Sequence, residues 1–159
     1  MKRFIATAAL SLLAVPAFAE GDPEAGQKGF NKCKSCHAVS SPEGEVFVKG
    51  GKTGPNLYGI PGAQAGLVEG FKYGADIVAA GEAGLIWDEE KFVTYLMDPK
   101  KYLREFTGNS KAKSKMAFKV KKGGEDIYAF LVSVSPAPEP AAEEAAEEGA
   151  GAEATEASN

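Results

Sequence analysis

Cys33-Lys34-Ser35-Cys36-His37 holds both cysteines and the only histidine of a 159-residue chain. The pattern C-x-x-C-H is that of covalent c-type haem attachment. The spacing follows from the chemistry. Two thiols three residues apart on a helical turn can add across the two vinyl groups at one porphyrin edge, and the adjacent imidazole then reaches the iron. A haem iron is commonly held by a proximal histidine, and a methionine as second ligand gives an electron-transfer centre of raised potential. Apart from Met1, the candidates for that methionine are Met97 and Met116.

Both ends of the chain read differently from its body. Residues 1–19 have a basic start (Lys2, Arg3), an apolar stretch from Phe4 to Val15 and an A-x-A-like site at Ala17-Phe18-Ala19, the features of a secretory signal peptide. The apolar stretch is shorter than the roughly 20 residues of a spanning helix, which argues against a retained anchor. Cleavage would leave Glu20 as the N-terminus and, in a bacterium, place the protein in the periplasm. Residues 136–159 are almost wholly Ala, Glu, Pro and Gly, with seven Glu and no basic or aromatic residue. Such a segment buries too little apolar surface to offset its chain entropy and reads as a disordered acidic tail.

Residues 20–135 form the remaining 116-residue body, the size of one domain. The formal net charge of −4 describes the whole chain. Without Lys2, Arg3 and the seven tail glutamates, the body carries 16 basic and 15 acidic side chains. From Lys100 to Lys122 there are nine basic residues against the single acid Glu105, and Met116 lies among them. Lys28, Lys32 and Lys34 bracket the cysteines. If His37 and Met116 share one iron, two basic segments converge on the cofactor edge, a field that steers acidic partners and weakens with salt. Nucleic acid is a poor partner for an exported chain with no recognition motif.

The body reads as helices and loops, not strands. Asp22-Pro23-Glu24 is a helix start, with Asp as cap and Pro in the first turn, and the helix delivers Cys33. The Gly- and Pro-rich stretch from Ala38 to Phe71 reads as loops and turns, long enough to need something to wrap. Ala75 to Ala80 predicts one or two helical turns that Gly81 interrupts. Asp88-Glu89-Glu90 caps a helix whose Phe92, Tyr95 and Leu96 share a face, and Asp98-Pro99 ends it. A short turn through Tyr102 and Leu103 and a polar loop from Thr107 to Lys115 then lead to Met116. Glu125-Asp126 opens a last helix with Ile127, Phe130, Leu131 and Val134 on one apolar face, closed by Pro136.

Taken in order, these residues resemble the class I cytochromes c, most closely the cytochrome c2 or c550 type of alphaproteobacteria. The matching pieces are Phe30 ahead of Cys33-Lys34-Ser35-Cys36-His37, Lys52-Thr53-Gly54-Pro55-Asn56-Leu57, Gly70-Phe71-Lys72-Tyr73-Gly74, Trp87, Tyr95-Leu96-Met97-Asp98-Pro99-Lys100, Lys115-Met116 and Glu125-Asp126-Ile127. They cover nearly all of residues 20–135. The Gly-Pro pieces are weak singly; the ordered set is specific.

The resemblance implies an all-α fold wrapped round one covalent haem c, its first and last helices crossing where Gly26 and Phe30 meet Ile127 and Phe130. It makes Cys33 and Cys36 the thioether residues, His37 the proximal ligand and Met116 the distal one, with the Pro55 carbonyl accepting from the His37 ring. Tyr73 and Trp87 would hydrogen-bond a propionate, and Tyr95 would lie near the Met116 sulfur. From the residues alone, those three aromatics read equally as core. Met116 is favoured because it lies in a loop, whereas Met97 sits in a helical stripe beside Leu96 and reads as core filler.

The function implied is a soluble, monomeric, periplasmic carrier of single electrons, not an enzyme. The resemblance implies a cytochrome bc1 complex as donor and a terminal oxidase or photosynthetic reaction centre as acceptor, docking on the lysine-rich face. One departure stands out: where the family often has a propionate arginine after the glycine that here is Gly62, this chain reads Ala63-Gln64. The expectation is a midpoint potential that is lower or more sensitive to pH. Two other classes are weighed against the carrier. A thiol redox protein could use Cys33 and Cys36 as a reversible disulfide, but the strand expected before such a motif is missing. A haem sensor or peroxidase needs an open iron position, which Met116 would block.

Overall fold

Asp22 opens the first helix, α1 (Pro23–Gly29), by accepting from the backbone N–H groups of Glu24 and Ala25, with Pro23 in the first turn where no N–H is needed. The structure, a computed structural model, describes residues 21–135; the signal peptide expected at 1–19, Glu20 and the tail expected at 136–159 lie outside the described residues. A 3-10 turn (Phe30–Lys32) follows α1 without a break. Lys34 N–H then donates to the Phe30 carbonyl, and the Cys36 and His37 N–H groups both donate to that of Cys33. The attachment motif is thereby wound into consecutive tight turns.

The segment read as loops and turns contains one short antiparallel hairpin, β1 (Val39–Ser40) with β2 (Val46–Val48). Its turn runs through Ser41-Pro42-Glu43-Gly44, with Gly44 at φ +94°. β-Branched residues flanking a Pro/Gly turn are a hairpin signal, and two or three residues per strand is too short to show an alternating pattern. The architecture remains helical, with five α-helices among the described residues.

Helix α2 (Ala75–Glu82) passes through Gly81 instead of stopping there. Gly81 is buried, and the Ala65 carbonyl oxygen lies where a Cβ at this position would be. The glycine thus admits a neighbouring loop and leaves the helix intact. Helix α3 (Glu89–Met97) is capped by Asp88 and ends where expected, at Asp98-Pro99. Asp98, with φ −158°, then caps α4 (Pro99–Thr107), a nine-residue helix where only a short turn was expected. Tyr102 and Leu103 are its buried anchors, and Gly108 in the left-handed region ends it.

The last helix, α5 (Gly124–Val134), buries Ile127, Phe130 and Leu131. It packs most extensively on α1. Gly26 makes the close approach possible, since a Cβ there would overlap the Asp126 carbonyl oxygen and lie 2.8 Å from the Phe130 Cβ. Phe30 meets Phe130 edge to face at 5.7 Å, and Asp126 accepts from the Asp22 N–H at 2.9 Å. The two ends of the described chain are therefore sewn together behind the motif. In front of it, the core residues Leu103, Ile127, Phe92 and Leu96 reach the wall of a large cavity.

Candidate haem site

The cavity has a volume of about 470 Å³ and runs from the Cys33–His37 turns to the loop carrying Met116. Cys33, Cys36 and His37 line one side. Pro55 and Tyr73 come from the long connecting segment, Trp87 precedes α3, and Tyr95 lies within it. Met116 closes the set from the loop after α4. All eight candidate site residues thus meet at one surface, although more than 80 positions separate the first from the last.

His37 is the best-defined member. Its Nδ1 lies 2.8 Å from the Pro55 carbonyl oxygen. A carbonyl can only accept, so Nδ1 carries the proton and Nε2 keeps the lone pair a metal needs. Gly54 packs directly on the ring: a Cβ there would lie 2.6 Å from Nδ1 and 2.7 Å from Nε2. Burial holds the imidazole below its ordinary range, against an opposing pull from the Pro55 hydrogen bond. The ring is thus kept neutral and fixed in one orientation.

The thiols differ. Cys33 is buried, which pushes its thiol up to about 11. Cys36 is exposed, and hydrogen bonds from Thr53 and Ser35 draw its thiol down. A dithiol exchange centre works through a depressed thiol pKa, and burial drives the first cysteine the opposite way.

The aromatic residues line the cavity in two groups, Trp87 with Tyr95 and Phe92, and Tyr73 with Phe71. Trp87 sits edge to face with Tyr95 at 5.0 Å and with Phe92 at 6.4 Å, and its carbonyl accepts from the Tyr128 hydroxyl. Tyr73 packs against Phe71 at 4.8 Å, and burial pushes its phenol up to about 12. Burial also raises the Tyr95 phenol, which pairs with the Ser114 hydroxyl at 3.4 Å. Ser114 in turn accepts from the Met116 N–H at 3.1 Å, so Tyr95 reaches the methionine loop through a serine absent from the sequence reading.

Met97 is not the core filler expected from its helical stripe: it ends α3 46% exposed and does not line the cavity. Ala63 and Gln64 do not line the cavity, but the Ala63 carbonyl accepts from the Trp87 N–H at 2.9 Å. Three further features escaped the sequence reading. Gly54 enters the sequence reading only within the piece that contains Pro55, Ser114 only within a polar loop, and Phe118, which lines the cavity while 52% exposed, not at all. The one available signal was the position of Phe118 two residues beyond Met116.

The residues present fit a covalently held haem. Two unpaired thiols and a neutral imidazole with a free Nε2 sit on one wall of an aromatic and aliphatic cavity that also contains a thioether.

No family model matches the chain. It is 61% identical to cytochrome c-551 of Roseobacter denitrificans over 127 residues, covering 80% of this chain and 91% of that protein. It is 54% identical to cytochrome c2 of Rhodobacter capsulatus over 129 residues, covering 81% and 93%. The crystal structure of ferric cytochrome c-550 from Paracoccus versutus superposes with a TM-score of 0.71 at 51% identity, covering 74% of this chain and all of that one. With relatives of this identity over most of its length, the chain belongs to the class I cytochromes c of the c2 and c-550 type, electron carriers that bind covalent haem c.

Proposed function

We propose that the chain is a periplasmic carrier of single electrons in which Cys33 and Cys36 would hold haem c by thioether bonds and His37 and Met116 would ligate its iron. In this reading it takes electrons from a cytochrome bc1 complex and delivers them to a terminal oxidase or a photosynthetic reaction centre. The observation that carries it is the convergence of His37, with Nδ1 occupied by Pro55, and Met116 on one cavity whose wall also holds both thiols.

When bound, the haem supplies a one-electron couple. The chain's own part is positional. Pro55 and Gly54 hold the His37 ring, so the imidazole need not reorganise when the charge at the site changes. The aromatic wall of Trp87, Tyr95 and Phe92 excludes water behind the cofactor. Met116 would be the second protein ligand to the iron, so the site would offer no place for a substrate. Lys32, Lys113 and Lys115 reach the rim of the cavity, and Lys100, Lys101, Lys119, Lys121 and Lys122 are exposed nearby in the chain. Such a rim orients acidic partners during brief encounters.

A pyridine haemochrome spectrum of the purified protein tests the attachment, and a colourless product overturns it. Met116→Leu tests the sixth ligand. The weak long-wavelength band of sulfur ligation in the oxidised protein should vanish, and ferrous protein should bind carbon monoxide readily where wild type does not. A variant with unchanged spectra removes Met116 from the site.

A further inference from the structure

The loop that carries Met116 makes few backbone hydrogen bonds of its own. Between Gly108 and Val120 its main-chain ties are a turn from Ala112 N–H to the Asn109 carbonyl and a bond from Val120 N–H to the Leu96 carbonyl. Side chains do the rest. Arg104 Nε donates to the Ala112 carbonyl at 3.1 Å, and Lys119 donates to Asp98 at 2.5 Å, tying the loop to α4 and its cap. Across the cavity mouth the connection is different. Asp76, in the first turn of α2, accepts from the Lys113 N–H at 3.0 Å. In the other direction, Lys115 Nζ donates to the Lys72 and Tyr73 carbonyls at 2.8 and 3.2 Å while its methylenes lie on Gly74.

We infer that Asp76 is a positioning residue for the sixth ligand: its hydrogen bond to Lys113 N–H latches the Met116 loop across the cavity mouth. This inference rests on the proposal that Met116 is a ligand. The physical case is one of local stability. A loop without a backbone ladder opens at the cost of its few fixed contacts, and each bond removed raises the open population. Asp76 matters more than its half-exposed position suggests, because it grips main chain. Lys113 is three residues from Met116, so releasing its N–H frees the segment that presents the sulfur, whereas losing a lysine side-chain bond leaves the backbone where it was. A hydrogen bond of this kind changes an opening equilibrium by roughly three- to tenfold. The latch controls how readily a small external ligand takes the sixth position, and it leaves His37 and its Pro55 bond untouched.

The test is imidazole binding to the oxidised holoprotein, followed by the visible spectrum, for wild type, Asp76→Ala, Asp76→Asn and Glu82→Ala. Glu82, also on α2 and exposed, is the control. Hydrogen exchange at the Lys113 amide is measured on the same proteins. The latch requires Asp76→Ala to bind imidazole roughly three- to tenfold more tightly, with faster exchange at Lys113. Asp76→Asn, which keeps an acceptor oxygen, should stay close to wild type, as should Glu82→Ala. Wild-type affinity in Asp76→Ala, or an equal gain in Glu82→Ala, overturns the inference. If wild type itself lacks the sulfur band, the ligand assignment is what fails. The latch then stands or falls on Lys113 exchange alone, faster in Asp76→Ala for it and unchanged against it.

Discussion

Gly54 shows how much of this site is set by a missing side chain. The His37 ring lies where a Cβ at residue 54 would have to be, and the ring cannot yield without stretching its bond to Pro55. Overpacking against a fixed group costs about 1–3 kcal/mol. Gly54→Ala should therefore lower the holoprotein's unfolding midpoint and its yield, and should weaken the proposed ligation by His37 more than it disturbs helix content, as circular dichroism and the visible spectrum would report. A variant as stable as wild type would mean that the ring has slack. Position 63 carries the opposite kind of signal, since the resemblance leads one to expect an arginine there and the chain has Ala63-Gln64. Its carbonyl is bonded to the Trp87 N–H, so a side chain there starts beside the cavity wall. A guanidinium added by Ala63→Arg would favour the more negative, reduced state and keep a nearby carboxylate ionised. The expected result is a higher midpoint potential with a flatter pH dependence, measured by redox titration across pH. Identical curves would show that Ala63-Gln64 has no electrostatic consequence.

At the scale of elements, the junction of α3 and α4 depends on one carboxylate. Asp98 ends α3, caps α4 through the Lys101 N–H at 3.1 Å and holds Lys119 of the methionine loop. The Lys119 hydrogen bond, aided by the bond from Lys101, holds the carboxyl below its ordinary value of 3.8. A folded-state pKa below the unfolded one stabilises the fold above the unfolded value, and this contribution is lost as pH falls through the folded one. Asp98→Ala should therefore lower the urea midpoint near neutrality, and its gap from wild type should close in acid below the ordinary carboxylate range. A gap independent of pH would sink the electrostatic part of the account. This junction also shows what sequence reading can reach. Asp98-Pro99 marked the end of α3 because proline cannot continue a helix, and the spacing of Phe92, Tyr95 and Leu96 marked the buried face. The same proline also starts α4, whose length does not show in the sequence because its two anchors, Tyr102 and Leu103, are adjacent and show no period. Gly81 misled for a related reason. Composition treats glycine as a breaker, whereas here it admits the Ala65 carbonyl, a contact set by a residue 16 positions away. The covalent motif was legible because its chemistry is local; Asp76, Ser114 and the fit of Gly54 were not, since each acts on a partner that only the fold brings near.

For the molecule as a whole, charge is distributed along the chain in blocks, and the blocks have opposite signs. Residues 100–122 carry nine cations and one acid, while residues 136–159 carry seven glutamates and no cation. The point from which the acidic block departs is tied to the body, since Ser135 Oγ accepts from the Gly59 N–H at 3.0 Å. A strongly negative segment that begins there would lower the positive potential an acidic partner meets if it comes within about a Debye length of the lysines, about 10 Å at 0.1 M salt. Ending the chain at Ser135 removes seven carboxylates without touching a residue of the cavity. The shortened protein should associate faster than the full chain with an acidic redox partner or an anionic vesicle at low ionic strength, and the two should converge as salt rises, with the midpoint potential unchanged. Stopped-flow association rates at several salt concentrations decide the matter. Superimposed salt curves would show that the glutamates lie outside the field of the lysine face, and the steering would then belong to the 16 basic and 15 acidic side chains of the body alone.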